Sequence, residues 1–175
     1  MNKNIEDESI LRCAELLHKH RISFATLNMI GLPGETLSEA WRTVEINMRV
    51  KPNWAWFSIY QPLPKTALGQ LAIDKGYIKS FDVTIRDANF HESGVILRNN
   101  PEGKKMLRLK NSANIVIKIP FLKVLVKKAI LNLPFDRLYA FIDNSLYFIF
   151  YYLKLTSKQG LKEAARSLYF VIKSI

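Results

Sequence analysis

Gly31, Pro33, Gly34 and Glu35, inside the run NMIGLPGET from Asn28 to Thr36, are the residues of this chain whose types and spacing could do chemistry. The glycines lack a Cβ, so their backbone N–H and C=O groups can approach a ligand closely and adopt conformations other residues resist. Pro33 fixes φ and removes a donor, which ends the apolar run before it. Between a parallel strand and a helix, such a turn falls at the C-terminal edge of the sheet, where α/β folds bind their ligands. The chemistry on offer is recognition by backbone groups and apolar contact, with one carboxylate nearby. Two plainer readings stand beside it. The glycines make a tight turn and nothing more, and Glu35 complements the positive end of a helix dipole.

The other reactive side chains are scattered. Cys13 is the single cysteine, which excludes an internal disulfide framework and any zinc or iron–sulfur site built on thiolates of this chain alone. It reads as a small core residue beside a helix stripe, in a reducing compartment. His18 and His20 fall at that helix's end, where a solvated or dipole-facing place suits them better than metal ligation. His91 and Glu92 have no third partner, so no metal or catalytic role is assigned to them. Trp41, Trp54 and Trp56 read as core.

The elements that must position the turn follow from hydrophobic periodicity. Asn4 to His20 is an amphipathic helix with Ile10, Leu11, Ala14 and Leu17 on one stripe. Ile22 to Ile30 carries no charge and consists mainly of small, β-branched or apolar residues, which predicts a strand covered on both faces. Thr36 and Glu39 form a capping box that starts a helix over Leu37 to Val50, with Leu37, Ala40, Trp41, Val44 and Met48 on its inner stripe. Pro52 stops that helix. Trp54 to Tyr60 alternates as a strand, so the two strands and the intervening helix make a βαβ unit. The proline-stiffened loop Gln61 to Leu68 leads into a short helix, Gly69 to Lys75, closed by Gly76 as a left-handed cap. Two parallel strands close neither a sheet nor a barrel, and need neighbours on both edges.

Ser80 to Lys110 is weakly patterned, and from Asn114 the composition shifts. The formal charge of +11 sits in the second part of the chain: residues 101–175 hold 14 Lys/Arg against 4 Asp/Glu, whereas residues 1–100 hold 12 against 11. Pro120 starts a helix with Phe121, Leu122, Leu125, Val126, Ala129 and Ile130 on one side, and Lys123, Lys127 and Lys128 on the other, ended by Pro134. Leu138 to Leu153 is apolar nearly all round with seven Tyr or Phe, but Asp143 breaks it at its sixth position, which argues against a membrane span. A last amphipathic helix is expected over Leu161 to Ile175. These helices suit a cap over an α/β core, and their lysines flanking aromatics also suit an anionic membrane surface. Nucleic acid is not an expected partner, because the lysines lack interleaved Gly, Arg and aromatic residues. The polar, acidic start MNKNIEDES carries no signal peptide pattern, so the expected location is the cytoplasm, with the inner face of the membrane as the tail's alternative address.

Taken together, MNKN, the strand ending MIGLPGET, the following strand, and YQPLPKTAL with KGYI resemble the second half of the radical SAM catalytic barrel. The closest likeness is to the branch with a cobalamin-binding domain. There a segment like MNK precedes the fourth barrel helix, GLPGET ends the fifth strand, and Y-x-P-x-P-G-T-x-L follows the sixth. The resemblance covers residues 1–80 and implies an α/β fold: a partial radical SAM-type β/α barrel over 1–80, a connecting segment over 81–112, and a basic, aromatic-rich α-helical extension over 113–175. It implies S-adenosylmethionine and a [4Fe-4S] cluster as cofactors of the full-length family, cobalamin as a further one in that branch, and radical chemistry such as methyl transfer. It also implies that Ile30, Gly31, Leu32, Pro33, Gly34 and Glu35, with Tyr60, Gln61 and Pro62, flank the adenine. The contacts there are largely backbone groups and apolar surface.

The departures are as informative. The family's CxxxCxxC cluster loop has no counterpart here, and the residues that hold the amino and ribose groups would lie upstream. Lys65 stands where the family has glycine, and His20 precedes the strand where glycine is common. The expectation is a piece of a longer protein or a truncated reading frame, with the N-terminal part of the barrel as its missing partner. By itself the chain is not expected to cleave S-adenosylmethionine or to bind any of these cofactors tightly, and whether it is an enzyme is left open. The alternative is a helical membrane-peripheral or interaction module with a vestigial α/β part.

Overall fold

A computed structural model of the chain describes residues 5–81, 97, 99–128 and 130–154. The expected helix over Leu161 to Ile175 and the pair His91 and Glu92 lie outside the described residues. The chain divides into two units, Met1–Pro134 and Phe135–Ile175.

In the first unit, helix α1 (Asp7–Lys19) buries Ala14 and leads to strand β1 (Ala25–Ile30). His18 Nε2 donates to the Val50 carbonyl at 2.9 Å, and its ring meets Phe24 edge-on, which ties the end of α1 to the element after β1. Cys13 is exposed, a correction to its reading as a core residue: the helix turns Ala14 inward and leaves its neighbour outside.

Helix α2 (Leu37–Val50) begins with the capping box expected of it. The Glu39 carboxylate accepts from the Thr36 N–H at 2.7 Å while Thr36 Oγ1 accepts from the Glu39 N–H at 3.3 Å. It ends at Lys51, whose backbone is left-handed (φ 51°) and whose N–H donates to the Asn47 carbonyl, just before Pro52. Strand β2 (Trp54–Ile59) then runs parallel to β1, pairing Ala25 with Trp54 through Ile30 with Ile59. Helix α3 (Ala67–Asp74) follows, capped by Thr66 Oγ1 on the Gly69 N–H and closed by Gly76 at φ 72°.

The stretch expected to be weakly patterned contains much of helix α4 (Gly103–Lys118), the most buried helix described. Met106, Leu109, Ala113 and Val116 pack with Ala40, Trp41 and Val44 of α2 and with Ile30, Ala55, Phe57 and Ile59 of the sheet to form the main core. The 3,4-spaced apolar positions of α4 were visible in the sequence. What masked them is the set of polar residues buried beside them, Arg108, Lys110, Asn111, Ser112 and Asn114. After α4 the chain does not form the single helix expected from Pro120 to Pro134. A 3-10 turn (Pro120–Leu122), helix α5 (Lys123–Lys128) and a second 3-10 turn (Ile130–Asn132) take its place.

Both helices pack on one face of the sheet. Successive side chains of a strand alternate, so Thr26, Asn28 and Ile30 turn toward α2 while Ala25, Leu27 and Met29 turn away. The inner polar pair is fully engaged. Thr26 Oγ1 donates to Asn47 Oδ1 at 2.5 Å, Asn47 Nδ2 donates to Asn28 Oδ1 at 2.7 Å, and Asn28 Nδ2 donates to the Trp56 carbonyl at 3.0 Å. The outer face of β1 is open: Leu27 is 87% exposed and Met29 49%. This corrects the expectation that β1 is covered on both faces; its apolar composition is real, but only one face has a cover.

The two edges of the sheet also differ. The Tyr60 N–H donates to the Ile30 carbonyl, so the backbone groups of Ile30, Asn28 and Thr26 face β2, and those of Ala25, Leu27 and Met29 face outward. Among the described residues nothing pairs with that outer edge. On the far side of β2, Asn114 Oδ1 accepts from the Ala55 N–H at 3.2 Å and Asn114 Nδ2 donates to the Ala55 carbonyl at 3.0 Å. One carboxamide thus supplies the donor and acceptor that a further strand would have offered.

The second unit contains helix α6 (Asp136–Lys154). Among the described residues no helix is long and apolar enough to cross a membrane.

Candidate functional site

The turn after β1 and the segment after β2 sit at the same end of two parallel, paired strands, so the strand register brings them together. Ile30 ends β1 with its side chain in the main core, leaving only its backbone for the turn. Gly31 (φ 79°) and Gly34 (φ 87°) both occupy the left-handed region that favours glycine. At Gly31 space is also short, because a Cβ would come within 3.0 Å of Leu97 Cδ2 and 3.5 Å of Ile59 Cγ2. Pro33 is buried between the two glycines.

Glu35 turns back onto the turn that precedes it. Its Oε2 accepts from the Gly31 N–H at 2.5 Å and from the Leu32 N–H at 2.9 Å. The carboxylate therefore occupies the backbone donors that the bare glycine turn would otherwise present to a ligand. While Glu35 holds them, the Gly31 and Leu32 N–H groups are not available to a ligand. Burial raises the Glu35 carboxyl above its ordinary value, assisted by the charge of Glu39 and opposed by the two backbone N–H groups. The Glu39 carboxyl, fully exposed, is lowered by its bonds to Thr36.

On the other strand, Tyr60 is 7% exposed and belongs to a small cluster with Ala72 and Ile78, against which Leu32, Ile73, Tyr77 and Phe81 pack. Leu32 of the turn and Tyr60 thus share one apolar wall. Tyr60 Oη and Gln61 Nε2 are both buried, and among the described residues neither has a hydrogen-bond partner. Burying a hydroxyl or an amide without a partner costs about 1–3 kcal/mol, so a group that hydrogen-bonded to these two atoms would recover that cost. Pro62 is buried beside them. Beyond it, Lys65 has φ 62°, the conformation that glycine adopts most easily. Thr66 Oγ1 donates to the Leu63 carbonyl and holds this loop onto the start of α3.

Three supporting residues were not found from the sequence. Leu97 packs on Gly31; Asn100 Nδ2 donates to the Glu35 carbonyl at 3.2 Å; and Glu102 Oε2 accepts from the Leu37 N–H at 2.8 Å, adding a second carboxylate to the start of α2. The last two act across 65 positions of chain, and no local pattern announces such a contact.

The arrangement suits a flat ligand with apolar faces and a polar rim. Leu32, Pro33 and Pro62 offer apolar surface, and Tyr60 and Gln61 offer a hydroxyl and an amide donor. Among the described residues no group of three or more His, Cys, Asp or Glu could hold a metal ion. Neither a protein-family model nor a curated protein sequence matches this chain.

Proposed function

We propose that the chain is the C-terminal part of a radical SAM barrel and that it contributes the adenine side of an S-adenosylmethionine pocket. The observation that carries the reading is the pair of buried, unpartnered atoms, Tyr60 Oη and Gln61 Nε2, at the C-terminal end of two parallel strands beside the Gly31–Gly34 turn. Adenine has ring nitrogens that accept, an amino group that donates and two apolar faces, which is the chemistry that these residues and Leu32 answer.

Three further features support it. Lys65 keeps the left-handed backbone at the position where the family has glycine. On the face opposite the helices β1 is apolar and open; burying a leucine contributes about 1.5–3 kcal/mol, and Leu27 forgoes nearly all of that. The edges are unequal, with Asn114 closing the outer side of β2 and nothing described closing that of β1. Added strands would join at β1, the side on which the N-terminal part of the barrel belongs in this reading.

The [4Fe-4S] cluster does not fit this chain alone, because its one thiol, Cys13, lies exposed on α1. No cleavage of S-adenosylmethionine by the isolated chain is proposed, and cobalamin has no feature here that argues for it. Saturation-transfer NMR with S-adenosylmethionine tests the pocket. Weak binding is expected, with transfer strongest at the adenine protons and reduced in the Y60F/Q61A variant. Uniform transfer along the molecule, or transfer unchanged in the variant, would sink the reading.

A further inference from the structure

The region after α4 holds a feature unrelated to the strand ends. Leu122 packs against the main core and Val126 is buried within it, four positions apart on one side of the chain from Pro120 to Lys128. Arg108 reinforces this docking through an Nη1–H bond of 3.0 Å to the Leu131 carbonyl. With that side fixed inward, the opposite side is held outward: Phe121 is 80% exposed, Val124 60% and Leu125 51%. These three follow one another at helical spacing, so they form one patch. The sequence had placed Phe121 and Leu125 on the inner side with Leu122 and Val126. In the structure Leu122 and Val126 face the core, and Phe121 and Leu125, about 100° round the chain from them, face out.

Charge surrounds the patch. From Pro120 to Asn132 there are three lysines and no acidic residue. Lys123 pairs with Glu45 of α2 at 2.8 Å, and Lys127 lies over the Trp41 ring at 5.9 Å. Lys127 and Lys128 are exposed, and no acidic side chain pairs with them among the described residues. A stable protein interface buries on the order of 1,000 Å² or more, which three side chains on about one helical turn do not supply. A bilayer surface asks for no matching shape, only for apolar side chains to enter the acyl boundary and for cations to meet phosphate.

We infer that Phe121, Val124 and Leu125, with Lys127 and Lys128, form a wedge that seats this chain on an anionic phospholipid surface. The lysine stems lie along the apolar boundary while their ammonium groups reach the phosphates. The inference is independent of the pocket at the strand ends.

Co-sedimentation of the full chain with phosphatidylcholine vesicles, with and without phosphatidylglycerol, tests it. Binding is expected only with the anionic lipid, weakening as salt rises, and F121S/L125S should reduce the partition coefficient about tenfold. Both positions are exposed, and an unchanged thermal melt confirms that the variant folds. Lys128→Glu provides a second reading, with weaker binding to anionic vesicles. Three outcomes overturn the inference: no binding to anionic vesicles, equal binding to neutral ones, or wild-type binding by F121S/L125S, which would assign the interaction to another basic segment. Self-association without vesicles that F121S/L125S abolishes would also overturn it, in favour of a second copy of the chain.

Discussion

Glu35 shows how one side chain can decide what a glycine-rich turn offers. Its type and position fitted a helix-dipole role or a ligand contact, and the structure uses it to fill the turn's own N–H groups. The consequence is measurable. Because burial raises its carboxyl above the ordinary 4.5, the folded chain binds this proton more tightly than the unfolded chain does. The stability linked to it is whole below pH 4.5 and is lost as pH rises through the folded value. Gln keeps the acceptor oxygen and removes the titration. Denaturant melts across this range should therefore show E35Q gaining on the wild type as pH rises. A difference that is flat with pH would refute the assignment.

Among the elements, α2 was legible in detail and α4 was not. The capping box of Thr36 and Glu39 is a local pattern, and so is the stop before Pro52, since each needs only residues within one helical turn. The role of α4 depends on residues remote in sequence. Asn114 reaches Ala55, 59 positions away, and substitutes for a neighbouring strand. Asn114→Ala would leave a buried N–H and a buried C=O unmade, so a loss of about 2–3 kcal/mol is expected in chemical denaturation. A loss below about 0.5 kcal/mol, the range of a surface substitution, would show that the edge is closed by something else. The 16 residues of α4 carry the 3,4 spacing, yet the buried Arg108, Lys110 and Asn114 read as surface in a sequence.

For the molecule as a whole, the unequal sheet makes its own prediction. Amide hydrogen exchange along β1 should alternate, with Thr26, Asn28 and Ile30 protected by β2 and Leu27 and Met29 exchanging fast. Equal protection of all five would mean that the outer edge is covered. By itself the sequence determined the βαβ order, the capped helix, the glycine turn and the position of Tyr60 to Pro62 after β2, because propensity, caps and turn chemistry act over a few residues. Only the tertiary structure decided that β1 is open on one face, that Phe121 turns outward and Cys13 with it, and that Glu35 closes its own turn. Those outcomes depend on which surfaces find a cover, and a cover is supplied by contacts between residues far apart in the chain.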